Sequence, residues 1–424
     1  MPGTQMQSGV LSFEEARSAV EKEAARILPP ESEVADLLDA SGRVLAEPVL
    51  ADRDLPPFPR STRDGYAVRS ADLSRVPVTL RVIGEIRAGE KLDKIPAFVN
   101  AGQAVSIMTG APVPAGADAV VMVEYTTQSD QKVEIARAVA SGENIVSRGA
   151  EACEGSELIS RGSRLNEASI ALAASAGKPK ISVYRRPRIA VLTTGDEIID
   201  VDAVPGPTQI RNSNSYSLAV QIQKAGGVPV VLPIAPDQPD RLRSLIQDGL
   251  EADMLLITGG VSMGRYDLVE QVLGELRAEF FFTGAKIQPG RPVVFGRCAA
   301  AQTATSTARA NSPKYFFGLP GNPVSTMVTF ELFARPVLEA LSGMSPRQLT
   351  FANARLKSEI RVKTGLKRFL PAVLSGEFEN SEVELVAWQG SGDVAASARA
   401  NCYIVIPPDR ASIPAGEFVP ILMR

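Results

Sequence analysis

The stretch Asp253 to Asp267, Asp-Met-Leu-Leu-Ile-Thr-Gly-Gly-Val-Ser-Met-Gly-Arg-Tyr-Asp, gathers glycines, a serine and a closing carboxylate into one turn. Glycines at 259, 260 and 264 let backbone N–H groups approach an anion, with Ser262 as a further donor, and a helix starting just after them adds partial positive charge. Asp267 would repel a phosphate unless a hard cation such as Mg2+ sits between the two. The chemistry this turn suits is therefore anion binding assisted by a divalent cation.

Three more loops of this type follow apolar runs: Thr193-Thr194-Gly195-Asp196-Glu197, Ala235-Pro236-Asp237, and Gly318-Leu319-Pro320-Gly321-Asn322-Pro323-Val324-Ser325. In an open α/β sheet ligands lie outside the carboxyl ends of the strands, so Glu197, Asp237 and Asp267 are expected on one edge. In the last loop Asn322 can cap a helix and Pro323 can occupy its first position, aiming an N-terminus at an anion. Arg60-Ser61-Thr62-Arg63-Asp64-Gly65-Tyr66, in a proline-rich segment, can hold an oxyanion and a cation together. Lys286-Ile287-Gln288-Pro289-Gly290-Arg291-Pro292 is a second cationic turn. Singly, each has a plainer reading: Asp196 and Asp237 as helix caps, Gly259-Gly260 as a tight turn, Pro320 and Pro323 as loop shapers, Arg60 and Arg63 in an ion pair on an exposed loop, Lys286 to Pro292 as a strand connection. Four loops on one edge favour function over any one of these.

The elements that position these loops follow from composition and periodicity. A chain of 424 residues is too long for one core, so three or four domains are expected. Ser12-Phe13-Glu14-Glu15 is a capping box opening a helix with Ala16, Val20, Ala24 and Ile27 on its apolar face. Val78–Ile86, Ala104–Met108, Ala119–Tyr125 and Val133–Val139 read as strands of a small β domain, and Leu165–Ala176 as a helix that would join the first one. From Arg188 strands and helices alternate: strands Ile189–Leu192, Val228–Ile234, Met254–Ile257 and Tyr315–Leu319, helices Tyr216–Lys224, Asp240–Leu250, Leu268–Leu276 and Val324–Leu341. This pattern predicts a doubly wound parallel sheet. After Ser345 only strands are expected (Leu349–Ile360, Phe369–Leu374, Val383–Ala387, Asn401–Ile406), forming a β-barrel or sandwich. The Ala/Thr/Ser-rich stretch from Cys298 to Pro313 reads as an inserted surface loop.

Composition narrows the chemistry. Histidine is absent, which removes the commonest general base and transition-metal ligand. The net charge of −3 argues against nucleic-acid binding, and no apolar run reaches the length of a membrane span. Cys153, Cys298 and Cys402 are too far apart for a zinc motif, which suggests a reducing, cytoplasmic setting.

Read together, Ser61-Thr62-Arg63-Asp64-Gly65-Tyr66-Ala67, Ile107-Met108-Thr109-Gly110-Ala111-Pro112-Val113-Pro114, Thr194-Gly195-Asp196-Glu197, Thr258-Gly259-Gly260-Val261-Ser262-Met263-Gly264 with Asp267, and Gly318 to Ser325 resemble the molybdopterin molybdenumtransferases, the MoeA and gephyrin E-domain family. The resemblance runs in register from about Ser12 to the C-terminus. It implies a multidomain α/β plus β fold: a discontinuous helical linking domain (10–50 with 152–184), an inserted β domain (51–151), an α/β molybdopterin-binding domain (185–343) and a C-terminal β domain (344–424). It implies insertion of molybdate into adenylylated molybdopterin with release of AMP, a divalent cation, and a homodimer whose site lies between the α/β domain of one subunit and the β-domain loop of the other. A molybdopterin adenylyltransferase and molybdoenzymes are the implied further partners.

Carried over by motif, the family's acidic positions fall on Asp64, Glu197, Asp237 and Asp267, its threonine on Thr109, and its loop prolines on Pro320 and Pro323. We assign Asp64 and Asp267 to the reacting centre, Glu197 and Asp237 to the cation or the pterin, with Asp267 a further cation ligand, and Gly259, Gly260, Ser262 and Gly264 to phosphate. Arg60, Arg63, Thr109, Lys286, Arg291, Gly321, Asn322 and Ser325 complete the expected substrate-binding set. The chain departs from the family pattern at Glu151, where aspartate is common, and at Gly284 and Gln288, where some members carry lysine; Arg291 keeps its charge, and Lys286 is a candidate replacement. Two other readings are an adenylyltransferase, whose loop usually reads Thr-Gly-Gly-Thr-Gly, and a non-catalytic pterin-binding scaffold.

Overall fold

The structure, a computed structural model, describes residues 9–260, 268–299, 313–344 and 347–423. It resolves into two compact units, Met1–Val34 with Gly42–Ala46 and Ser182–Arg424, and Ala35–Ser41 with Glu47–Ile181.

The second unit is built on a six-stranded sheet in the order Ala119–Met122, Gly65–Val68, Gln103–Ile107, Val78–Ile86, Lys132–Ile135, Thr126–Ser129. Alternation with period two sends Tyr66, Val68, Val121 and Val133 to one apolar cluster and Ala67, Val105, Ile107 and Val120 to the other. Two of these strands, Gly65–Val68 and Thr126–Ser129, lie outside the β runs expected from the sequence. The alanine-rich helix of this unit, α2, spans Glu167–Ser175 and is capped by Asn166.

The first unit contains an α/β layer and a barrel. Its sheet runs Val228–Val231, Arg188–Thr193, Met254–Thr258, Lys314–Leu319, Val294–Cys298, Glu279–Phe282. The first four strands are parallel, as expected, but the last two are antiparallel, so the sheet is mixed. Inward positions alternate between faces. Ile189, Val191, Leu256 and Phe317 pack under helices α1 (Phe13–Ala24), α3 (Asn214–Ala225), α6 (Pro323–Thr329) and α7 (Arg335–Leu341). Ala190, Leu192, Leu255, Ile257 and Phe316 pack under α4 (Pro239–Leu250) and α5 (Leu268–Glu275). Helices on both faces make the layer doubly wound.

Helix α1 starts at the expected capping box, with Ser12 and Glu15 bonded reciprocally. The helix expected over Val324–Leu341 is interrupted by a π-helical turn, Phe330–Ala334, between α6 and α7. Pro336 supplies no N–H to the Leu332 carbonyl, and the buried Arg17 guanidinium donates to that carbonyl instead. Five strands, Phe351–Leu356, Lys367–Ser375, Glu382–Leu385, Cys402–Ile406 and Phe418–Met423, close into a barrel after α7. Contrary to expectation a short helix, Val394–Arg399, interrupts the strand sequence, started by Asp393 accepting from the Ala396 N–H. Among the described residues no helix is long and apolar enough to cross a membrane. Of the inserted stretch, residues 300–312 lie outside the described residues.

Glu339 is the most tightly held buried charge, 3 % exposed. Burial pushes its carboxyl up, but hydrogen bonds from Arg347 and Arg335 outweigh this and hold it below the ordinary glutamate range. Glu339→Gln should cost about 2–3 kcal/mol in urea unfolding, less than a fully dry pair because both arginines reach solvent. The wild-type advantage is present above the unfolded-state pKa and lost as pH falls through the depressed folded value. A difference between the two proteins that does not shrink in acid would contradict this.

Candidate functional site

The four parallel strands end at one edge, and short hydrogen bonds stitch their loops together. At the end of the first, the Thr194 N–H donates to the Thr258 carbonyl at 3.0 Å, and its hydroxyl donates to Asp237 Oδ1 at 2.9 Å. The Asp237 N–H in turn donates to Asp196 Oδ1 at 3.0 Å, and Thr194 bridges to Ala235 in parallel register. Asp196 and Asp237 therefore cap no helix; each carboxylate fixes the neighbouring loop. Among the described residues Asp237 accepts through Oδ1, and Glu197 folds back over Gly195, its Oε2 2.6 Å from where a Cβ there would stand. Asp196, Glu197 and Asp237 are all exposed.

The loops after the Met254 and Lys314 strands approach as closely as backbone allows. A Cβ at Gly321 would lie 3.6 Å from Gly259 Cα, and one at Gly259 would lie 2.3 Å from the Thr194 carbonyl oxygen. Asn214, the first residue of α3, donates to Thr258 Oγ1 at 2.8 Å and to the Gly321 carbonyl at 2.7 Å. Thr258 Oγ1 and Thr326 Oγ1 both donate to the Pro320 carbonyl, at 3.3 and 2.5 Å. Pro323 does open α6, but Asn322 makes no side-chain cap; its amide donates to Ser391 Oγ at 2.9 Å, tying the loop to the C-terminal region. Ser325 is 3 % exposed, and its carbonyl accepts from Thr329 within α6, so this residue faces the helix packing rather than an open edge. Ser262, Gly264 and Asp267 lie outside the described residues.

The cationic turn connects layers. Gly284–Ala285 pairs with Val10–Leu11, and Ile287–Gln288 with Lys367–Arg368. Lys286 and Arg291 are exposed; Lys286 lies close enough to Glu15 to favour its ionised form, behind the stronger effect of the Ser12 hydrogen bonds. Gln288 accepts from Arg368 Nε at 2.7 Å, and burial pushes the Arg368 guanidinium below the ordinary arginine range.

In the β-sheet unit Asp64 Oδ1 accepts from the Thr109 N–H at 2.7 Å and from its hydroxyl at 2.8 Å. These bonds, the backbone one foremost, hold the Asp64 carboxyl below the ordinary aspartate range. Gly65 fixes its place: a Cβ there would stand 1.9 Å from the Val121 carbonyl oxygen. Arg60 pairs with Glu151 at 2.8 Å rather than with Asp64, and Arg63 is exposed beside it. The longer Glu151 side chain thus serves as a counter-ion for Arg60.

Sequence reasoning quoted Thr194 and Thr258 within motifs but gave them no role, and it missed Asn214 and Ser391. The polar string Arg211-Asn212-Ser213-Asn214-Ser215 was a legible helix start, but nothing in it tells which loop Asn214 grips.

Among the described residues no three acidic or cysteine side chains converge as a complete metal-binding group. The donors present, carboxylates with no histidine in the chain, still suit Mg2+, which is commonly held by one or two carboxylates plus substrate phosphates. If Asp237 holds a cation, Thr194→Val should release that carboxylate and lower activity about 10- to 100-fold, with a raised Mg2+ requirement, while stability falls by no more than about 1 kcal/mol. Unchanged Mg2+ dependence would mean that the Thr194 hydroxyl does not hold a cation ligand.

Open sheet, helices on both faces and glycine-bearing loops at the strand ends define a doubly wound α/β protein, a class whose ligands lie at the carboxyl edge of the strands. Residues 190–340 match the profile described as a probable molybdopterin binding domain, residues 11–177 the MoeA N-terminal region (domain I and II), and residues 353–423 the MoeA C-terminal region (domain IV). The chain belongs to the MoeA family. It is 34% identical over 402 residues to the molybdopterin molybdenumtransferase of Nostoc sp., covering 92% of this chain and 88% of that one. It is 32% identical over 403 residues to that of Bacillus subtilis, covering 93% and 90%. A molybdopterin biosynthesis MoeA protein of Pyrococcus horikoshii superposes with a TM-score of 0.74 at 26% identity, over 98% of this chain and all of the other.

Proposed function

We propose that this chain is a molybdopterin molybdenumtransferase that inserts molybdate into adenylylated molybdopterin and releases AMP, the last step in assembling the molybdenum cofactor. The observation that carries the reading is the edge itself. Loops ending adjacent parallel strands are bonded into one rim by Thr194, Asn214 and Thr258, with Glu197 and Asp237 exposed along it.

In this reading the backbone of Gly259, Gly260 and Gly321 receives the phosphates, together with Ser262 and Gly264. Glu197, Asp237 and Asp267 would hold Mg2+. When bound, that cation polarises the phosphoanhydride and offsets charge developing on the AMP leaving group. Thr194 and Asp196 keep the Asp237 loop in place, so little rearrangement is needed as the substrate binds. Asp64, ionised and fixed by Thr109, belongs to the reacting centre, and Arg60, Arg63, Lys286 and Arg291 offset the negative charge of molybdate. No histidine base is required, since a molybdate oxygen can attack phosphorus itself. A homodimer, a four-domain organisation with the boundaries given above, a cytoplasmic setting, and exchange with an adenylyltransferase and molybdoenzymes complete the reading.

The test is AMP release from adenylylated molybdopterin with Mg2+, with and without molybdate. Release that depends on molybdate is expected. Formation of adenylylated molybdopterin from ATP would instead favour adenylylation, and tight binding without release would favour a scaffold.

A further inference from the structure

We propose that Asn214 is a substrate-recognition residue, whose side-chain carbonyl accepts a hydrogen bond from an N–H or O–H group beside the phosphates of the bound nucleotide–pterin. The inference rests on the molybdenumtransferase reading and adds to it a residue that no motif assigns.

Asn214 is 8 % exposed and opens α3, a helix of 12 residues. Its amide nitrogen is committed twice, to Thr258 Oγ1 at 2.8 Å and to the Gly321 carbonyl at 2.7 Å. A backbone carbonyl can only accept, so the Gly321 contact fixes which end of the amide is nitrogen. Rotating the group would place two acceptors against each other. Oδ1 is therefore held in one orientation, buried, and without a hydrogen-bond partner among the described residues. A buried acceptor left unmade costs free energy, and at a ligand edge the missing partner is naturally the ligand.

The surroundings define its chemistry. Ser213 makes no side-chain cap on α3, and of the first-turn N–H groups that of Ser215 goes to Asn212 Oδ1, while the helix dipole leaves this end positive. Asn212 and Ser215 bond to each other and to Thr193, so these neighbours hold the backbone and leave Asn214 as the acceptor. A helix N-terminus favouring an anion, beside an acceptor needing a donor, fits a phosphate flanked by an N–H or O–H group. Adenylylated molybdopterin offers both kinds, a ribose hydroxyl and the ring and amino N–H groups of the pterin.

The experiment measures calorimetric affinity of the full chain for AMP and, separately, for molybdopterin, in wild type, Asn214→Ala and Thr258→Val. Thr258→Val removes one partner of the amide nitrogen and leaves Oδ1 in place. Asn214→Ala is expected to weaken one ligand at least 10-fold, AMP if the ribose is the donor and molybdopterin if the pterin is. In turnover its KM should rise more than its kcat falls. Thr258→Val, which loosens the rim but keeps Oδ1, should lower Tm and weaken both ligands alike, by a smaller factor than the ligand-selective loss in Asn214→Ala. If ribose is the donor, wild type should also discriminate AMP from its 2′- or 3′-deoxy analogue. Should Asn214→Ala not fold, Asn214→Ser, a residue suited to a helix start, carries the same expectations. Unaltered affinity for both ligands, or an equal loss in Thr258→Val, overturns the assignment while the function stands. Failure of the wild type to bind either ligand removes both.

Discussion

Replacing Gly259 by alanine is expected to cost about 2–5 kcal/mol of stability and roughly 100-fold in turnover. The backbone at Gly259 has φ +89°, a left-handed conformation that costs a residue with a Cβ about 1–2 kcal/mol. The added Cβ would also stand 2.3 Å from the Thr194 carbonyl oxygen. That oxygen cannot step aside cheaply, because the same residue donates its N–H to Thr258 and its hydroxyl to Asp237. Overpacking against backbone adds about 1–3 kcal/mol. Relief requires the two strand ends to part, which carries Asp237 with them, and a displacement of about 1 Å at a reacting site costs on the order of 100-fold. Gly260→Ala is the control. Its φ is +62°, and its Cβ would meet side-chain carbons of Val269 at 2.8 Å and Thr194 at 3.0 Å. Both are side-chain methyl groups rather than backbone, so a shift of a few tenths of an ångström relieves them without parting the strand ends, and a smaller loss is expected in urea unfolding and in AMP release. Equal behaviour of the two variants would show that the Thr194 contact does not set the geometry of the rim.

The contrast between what the sequence revealed and what it hid has a physical basis. The runs at Ile189, Met254 and Tyr315 are buried on both faces, so they read as continuous apolar segments and their strands were legible. Thr126–Ser129 lies at the edge of its sheet and is polar, so it carries little signal, whereas Phe280-Phe281-Phe282 is an apolar run whose shortness alone left it out of the expected strands. The break between α6 and α7 depends on Arg17, more than 300 residues away in sequence, answering the carbonyl freed by Pro336. Local pattern could not supply that partner. The same holds at the site. The loops fall on the expected edge because strand ends follow from topology, whereas a cap is the local use of Asp196 and Asn322 and the plainer alternative for the ligand candidate Asp237. Their actual partners, Asp237, Thr194 and Ser391, come from other loops.

Asp64→Ala is expected to lower turnover by about 100- to 10,000-fold while leaving the fold intact, because its side chain is exposed and, among the described residues, bonds to Thr109 alone. Asp64→Asn keeps the shape and removes the charge, so a similar loss in both variants assigns the effect to the carboxylate; Asp267→Ala is expected to fail in the same way. Thr109→Val makes a finer test. It deletes the hydroxyl donor but keeps the backbone N–H that bonds Asp64 at 2.7 Å, the stronger of the two causes of its lowered pKa. The ionised form of Asp64 is present above its folded pKa, and any stability its bonds contribute is lost as pH falls through that value. In Thr109→Val the folded pKa rises part of the way back toward 3.8, so the acid limb of the rate profile moves up in pH. Near neutral pH the group stays ionised in both proteins, and any loss there reports orientation rather than charge. A limb that stays fixed in Thr109→Val while Asp64→Ala remains near normal would remove Asp64 from the reacting centre.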